Sequence, residues 1–146
     1  MSERDIRRVQ VMGLVAEDKR SLSAAAEVLG VSYRQDVGDT RFGPSEIFVR
    51  EAEARGARVS CHDPLVREWQ EMGRQLPEAI PAAEGFDAVV FAVGHDAYAK
   101  IDLAEWLSGA TPLVFDANAV LSRAQRRALR DLGCRVASIG RGRDCE

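Results

Sequence analysis

Five short apolar runs recur along the chain, each ending in or beside a polar turn and separated by segments of helical spacing. They are Ala24–Ser32 (AAAEVLGVS), Ala57–His62 (ARVSCH), Asp87–Val93 (DAVVFAV), Pro112–Phe115 (PLVF) and Cys134–Ile139 (CRVASI). Short, valine-rich runs bounded by polar residues favour strands over helices. Strands that are apolar without a break belong in a sheet covered on both faces. DAVVFAV is the strongest of the five; ARVSCH instead alternates apolar with polar residues.

The intervening segments read as helices. Pro44 suits a first helical turn, where its missing N–H costs nothing, and Gly56 suits the stop. Leu65, Trp69, Met72 and Leu76 recur at helical spacing and predict a helix after Asp63-Pro64. Pro77 and Pro81 break the chain into short turns. Tyr98–Leu107 reads as a helix with Ile101, Leu103, Trp106 and Leu107 inward. Ser122–Leu132 reads as an arginine-rich helix closed by Gly133. Strand and helix therefore alternate β-α-β-α-β-α-β-α-β, which implies an α/β fold with a parallel sheet between helical layers. Right-handed crossovers leave few topologies, and the order 2-1-3-4-5 is expected.

At 146 residues the chain is one domain by length, large enough for its own core. The net charge of −3 gives no general attraction to nucleic acid or an anionic membrane. The three cysteines, Cys61, Cys134 and Cys145, contain no CxxC pair, and their odd number argues against a disulfide framework. No metal site is expected. No apolar run approaches the length of a membrane span, and the first residues, MSERDIRRVQ, lack an apolar signal core. The expected location is cytoplasmic. Residues 1–23 read as a leader or short docked helix, residues 24–143 as the domain, and residues 144–146 as a tail.

In an order of 2-1-3-4-5 the loops after the first, third and fourth strands converge beside the topological switch, where open α/β sheets bind ligands. These loops carry Tyr33, Arg34, Arg41, His95, Asp96, Asp116 and Asn118. Arg34 and Arg41 suit phosphate through charge-assisted hydrogen bonds; the plainer alternative pairs them with Asp36 and Asp39 inside the loop. His95-Asp96 reads as a turn-forming pair before it reads as a general base and its orienter. His62-Asp63 stands where a dinucleotide-binding domain places its ribose acid, but no GxGxxG precedes it, and Asp63-Pro64 suits a plain turn. Cys61 and Cys134 fall in strands as inert core residues. Arg123, Arg126, Arg127 and Arg130 read as a solvated helix face.

Several blocks together resemble the C-terminal, nucleotide-sugar-binding domain of the UDP-glucose/GDP-mannose dehydrogenase family. They are GVSYRQDVGDTRFGPS at Gly30–Ser45, GARVSCHDP at Gly56–Pro64, DAVVFAVGHDAY at Asp87–Tyr98, IDL at Ile101–Leu103, LVFDANAVL at Leu113–Leu121, and the terminal SIGRG. The resemblance implies a Rossmann-like three-layer sandwich around a five-stranded parallel sheet. Family enzymes oxidise the C6 hydroxymethyl of a nucleotide-linked hexose with NAD, supplying polysaccharide precursors. Their catalytic cysteine, lysine and aspartate lie in an NAD-binding domain and a central helical region that these residues do not match, so this chain by itself is expected to be inactive. By the same resemblance, Tyr33 and Arg34 touch the nucleotide-sugar, with arginine where lysine is more usual. Arg41, in the DTR triplet, reaches the NAD pyrophosphate. Asn118 stands where many members place an arginine that reaches a neighbouring subunit's substrate. The implied partners are a UDP-sugar or UDP, with either a separate catalytic half or a second copy of the chain. The alternative is a structural or regulatory remnant that keeps the fold without the ligand.

Overall fold

Strand β1, Ala25–Leu29, is buried at every residue, because it lies in the middle of the sheet and is covered on both faces. The computed structural model describes residues 25–41 and 43–138. The segment expected to be a leader, the tail with Cys145, and both Ala24 and Ile139 at the outer ends of expected strands lie outside these residues. β1 is followed by helix α1 (Pro44–Ala54), β2 (Arg58–His62), the two-residue strands β3 (Glu68–Trp69) and β4 (Arg74–Gln75), and β5 (Ala88–Phe91). Short helices α2 (Asp96–Ala99) and α3 (Leu103–Leu107) lead to β6 (Leu113–Asp116), helix α4 (Arg123–Asp131) and β7 (Val136–Ser138). The main sheet is parallel throughout, in the order β2-β1-β5-β6-β7. With the small β3–β4 hairpin set apart, that is the expected 2-1-3-4-5.

The sheet divides two cores by the alternation of its side chains. Ala26, Val28, Val90 and Phe115 meet Phe48, Val49 and Ala52 of α1 on one face, together with Trp69 and Leu76 of the hairpin region. Leu29, Val89, Phe91 and Val114 meet Tyr98, Leu103, Leu107 and Leu129 on the other. Each large side chain so buried stabilises the fold by about 1.5–3 kcal/mol. β2 lies at an edge and is buried only at Cys61 and His62, which is why its sequence alternates.

Local chemistry sets the helix ends. Pro44 opens α1, and the Ser45 hydroxyl donates to the Gly30 carbonyl at 2.9 Å, pinning the helix start to the end of β1. Beyond α1, Gly56 at φ 94° donates to Glu53 and Ala57 donates to Ala52, so a left-handed residue closes the helix. Gly133, at φ 100°, ends α4 by the same pattern, with Cys134 donating to Leu129. The start of α4 is a capping box between Ser122 and Gln125.

Three expectations fail for identifiable reasons. Residues 65–76 form a hairpin, not a helix. Leu65 is half exposed while Val66, Trp69 and Leu76 are buried, so Leu65 is not on the inner face. Gly73 takes a left-handed φ of 62° that turns the chain back, and the Leu76 amide donates to the Arg67 carbonyl across the hairpin. Arg74 on β4 reaches the open edge of the sheet, donating to the Val59 carbonyl at 3.1 Å while pairing with Glu53. Tyr98–Leu107 is two helices rather than one. Asp102 caps α3 by accepting from the Glu105 amide, and the Gln125 side chain takes the Ala99 carbonyl freed by the break. The arginine face of α4 is not wholly solvated: Arg126 is 1% exposed and donates to the Leu121 carbonyl at 2.6 Å, 4.0 Å from Asp116.

One residue of β1 opposes folding. Glu27 is fully buried, and neither carboxylate oxygen has a hydrogen-bond partner among the described residues. Burial pushes its pKa up to about 7; Ser60, beside it on β2, lowers it only in part and makes no well-formed hydrogen bond. An acid whose folded pKa is raised binds its proton more tightly when folded, so stability falls as pH rises from the ordinary carboxylate range through about 7. The wild type is expected to lose about 3 kcal/mol between about pH 4.5 and pH 8 from this residue. Glu27→Gln should flatten that dependence, read from urea midpoints at the two ends of the range. An unchanged slope in the variant would place the titration elsewhere.

Candidate functional site

The loops at the carboxyl ends of β1, β5 and β6 meet at Gly94: a methyl group built there would lie 3.3 Å from Gln35 Oε1 and 3.8 Å from Val120 Cγ2. Gly30, which ends β1, is held as closely. A Cβ on it would come within 2.6 Å of Val93, and its φ is 108°. Only glycine lets these two strand ends approach so nearly.

Beneath the loops lies Asp63, fully buried at the end of β2. Its Oδ2 accepts from the amides of Val31 and Ser32 at 2.9 and 3.0 Å, from the Ser32 hydroxyl at 2.8 Å, and from His95 Nε2 at 3.0 Å. Its Oδ1 accepts from the Leu65 amide at 2.8 Å. Burial alone would raise its pKa, but the donors from His95, Leu65, Val31 and Ser32 outweigh it and hold the carboxyl at about 2. Asp63 is therefore an ionised structural anchor. It is turned inward and is in no position to bind a ribose from solvent.

His95 is 1% exposed and stands between two loops. Its Nδ1 accepts from the Asp36 amide at 2.8 Å. That bond requires a lone pair on Nδ1, so the neutral ring carries its proton on Nε2 and donates it to Asp63. Its acidic partner is thus Asp63, not the adjacent Asp96 considered from the sequence. Asp96 is exposed and begins α2, its amide donating to Asp36 Oδ1 at 3.2 Å. Asp36 itself takes a left-handed φ of 58°. His62 is buried against Tyr98, whose hydroxyl donates to the His62 carbonyl at 3.0 Å and lies 2.9 Å from Nδ1 of its ring. Burial lowers the pKa of His62.

The loop that rests on this base runs from Ser32 to Thr40 and is closed by the Tyr33 amide donating to the Asp39 carbonyl at 2.6 Å. Where the loop closes, Tyr33 is 56% exposed, and Arg34 beside it is exposed with no hydrogen bond or ion pair to any described residue. Asp36, expected as an alternative partner for the arginines, is spent on His95 and α2. Arg41 does take the expected structural pairing: its Nε and Nη2 bond Asp39, which holds the Asp39 carboxyl down at about 2. The pairing leaves the Arg41 side chain 73% exposed. Asn118 is exposed on the loop after β6, where buried Asp116 accepts from the amides of Asn118, Val120 and Leu121. The loops thus bring Tyr33, Arg34 and Asn118 to the same end of the sheet, on strands separated by β5, while Arg41 faces the hairpin. Between Arg41 and the hairpin lies an open cleft of about 430 Å³, lined by Thr40, Arg67, Gln70 and Glu71 among others. It was not legible in the sequence, since one wall is the hairpin read as a helix. Cys61 is buried and its thiol is pushed up to about 12, so it offers no nucleophile.

Comparison with known proteins places these features in a family. Residues 27–123 match the model of the UDP-glucose/GDP-mannose dehydrogenase family, UDP binding domain. A UDP-N-acetyl-D-mannosamine dehydrogenase of Methanocaldococcus jannaschii is 35% identical over 75 residues, 51% of this chain and 17% of that protein. Two solved structures share the fold. The NDP-N-acetyl-D-galactosaminuronic acid dehydrogenase of Methanosarcina mazei superposes with a TM-score of 0.78 at 22% identity, over 94% of this chain and 29% of that one. The UDP-D-ManNAc dehydrogenase of Pyrococcus horikoshii gives 0.71 at 22% identity, over 94% and 31%. The chain spans less than a third of each of these relatives.

Asp63→Ala would leave four backbone and side-chain donors and the His95 N–H facing an empty site. Each unpaired buried donor costs about 1–3 kcal/mol; with partial relaxation the variant should lose about 3 kcal/mol or more in urea denaturation. The wild type should keep this contribution above the ordinary carboxylate range and lose it as pH falls toward about 2. A loss below about 1 kcal/mol would mean that the loops hold together without the anchor.

Proposed function

Because this chain belongs to the UDP-glucose/GDP-mannose dehydrogenase family through the UDP-binding domain, we propose that residues 24–143 hold the nucleotide end of a UDP-sugar for an NAD-dependent dehydrogenase of polysaccharide-precursor synthesis. The observation that carries this reading is the loop after β1. It is locked at its base by Asp63, yet it presents Tyr33 and Arg34 outward, with Arg34 unpaired among the described residues. An exposed arginine without a carboxylate partner among the described residues suits a pyrophosphate. The Tyr33 ring offers a face to the uracil, and Asn118 offers both a donor and an acceptor to the neutral parts of the ligand.

NAD, when bound, supplies the hydride acceptor of the reaction. The residues described here fit that cofactor at one point only, the outward side of the Arg41 guanidinium, which stays exposed beside Asp39. The turn after β1 has no glycine-rich step into a helix: Gly30 is separated from α1 by the whole ligand loop. The rest of a dinucleotide site, and the groups that remove protons from the sugar, therefore belong to the remainder of the dehydrogenase. That remainder is either joined to these residues or supplied by a separate chain, and a second copy of this chain is the other partner considered. The competing reading is a remnant that keeps the fold without binding. Its support is that Asp39 already occupies Arg41 and that, by the family resemblance, Asn118 stands where many members place an arginine.

Titration calorimetry with UDP and UDP-glucose separates the two. Wild type should bind both, and Arg34→Ala should weaken binding by about tenfold or more, the worth of a charge-assisted hydrogen bond. Its melting temperature should not change, since Arg34 supports nothing else. No heat with wild type, or equal heat with the variant, would overturn the binding reading.

A further inference from the structure

We propose that Asp39 is the positioning residue of Arg41, holding one edge of its guanidinium so that the other fork is set out for a diphosphate. The inference deepens the reading of Arg41 as the point where these residues meet the NAD pyrophosphate, and it rests on that reading. Each member of the DTR triplet is fastened. The Asp39 carbonyl accepts from the Tyr33 amide at 2.6 Å, which ties it to the ligand loop. The Thr40 hydroxyl donates to the Glu71 carboxylate, which ties it to the hairpin. The Asp39 carboxylate then takes Arg41. Its Oδ1 accepts from the Arg41 amide and from Nε, both at 3.0 Å, and its Oδ2 accepts from Nη2 at 2.7 Å. One carboxylate therefore grips both the root and the head of the arginine side chain. The same donors hold the Asp39 carboxyl at about 2, so it is ionised throughout the neutral range.

The grip uses only the Nε–Nη2 edge. Nη1 and the second N–H of Nη2 form the end-on fork, and Nη1 donates to no described residue. A planar guanidinium can be held side-on by a carboxylate while its end-on fork takes a phosphate. Arg41 and Asp39 both line the open cleft of about 430 Å³ beside the hairpin. Arg67 lines it too, but its Nη1 is spent on the carbonyls of Asp63, Pro64 and Val66. Glu68 and Glu71 line the same cleft, so charge alone does not draw an anion there; a fixed donor fork does. An unheld arginine loses its side-chain freedom when the anion arrives, and Asp39 has removed that freedom beforehand. Repulsion between a carboxylate and an anion acts with the opposite sign, and the sign decides between positioning and competition. Asp39 acts through Arg41 and has no part in the chemistry of oxidation.

The test is an NMR titration of the whole chain with NAD at millimolar concentration, read at the Arg41 Nε–H signal. Arg41→Lys identifies that signal by its loss. Without ligand, the wild-type proton should exchange with water severalfold more slowly than in Asp39→Ala. NAD should move the wild-type signal. Asp39→Ala should bind NAD about fivefold more weakly, the worth of one side chain immobilised in advance, although it removes a negative charge. Asp39→Asn keeps an oxygen for the Arg41 amide and Nε and should recover part of the loss. NAD affinity unchanged or higher in Asp39→Ala would make Asp39 a competitor and overturn the proposal. A wild-type Arg41 signal that NAD does not move would overturn it too. Calorimetry with UDP-glucose scores the UDP-sugar reading separately: a wild type that binds NAD at Arg41 but no UDP-glucose upholds the positioning role and overturns that reading alone.

Discussion

The buried carboxylate of Asp63 is the interaction on which the ligand end of this domain depends. It belongs to β2, an edge strand, yet it organises the loop after β1, the loop after β5 and the entry to the hairpin. A buried charge is tolerable only when its lone pairs are filled, and here backbone amides do most of the filling. Those amides belong to turns that no ladder bond would otherwise satisfy. The anchor thus solves two problems together: it pays for its own burial with the unpaired donors of the loops it holds.

Around that anchor the labour is divided. Residues that hold the loops face inward: Asp63, His95, Asp116, and the glycines at 30 and 94 that let the strand ends close up. Tyr33, Arg34 and Asn118, the residues proposed to meet a ligand, are exposed, and the side chains of Tyr33 and Arg34 make no hydrogen bond to a described residue.

The sheet was legible in the sequence because its strands are continuous in apolar character, and parallel β-α alternation leaves little freedom in their order. The ends of α1 and α4 were legible because Gly56 and Gly133 do what glycine does at a helix stop. What escaped depends on contacts between residues distant in the chain. The spacing of Leu65, Trp69, Met72 and Leu76 suits a helix, and only the left-handed Gly73 and the outward Leu65 show that the chain doubles back. The acid paired with His95 lies 32 residues away, not one. Arg126 looks solvated beside its arginine neighbours, and its burial follows from the turn at Leu121 that it closes. The candidate ligand residues came from resemblance to a family; the residues that hold them in place came from the structure.

Arg74 carries a consequence for how the molecule behaves among its own copies. Among the described residues no strand pairs with the outer side of β2, which presents a row of backbone groups to which a strand of a neighbouring molecule would add. Arg74 lays its guanidinium across that row at Val59 and ties itself back to Glu53 of α1. An incoming strand meets a positive charge and an occupied carbonyl instead of a vacant register. The short hairpin thus sets a charged side chain on the outer side of β2, a feature of the kind that disfavours strand addition at a sheet edge.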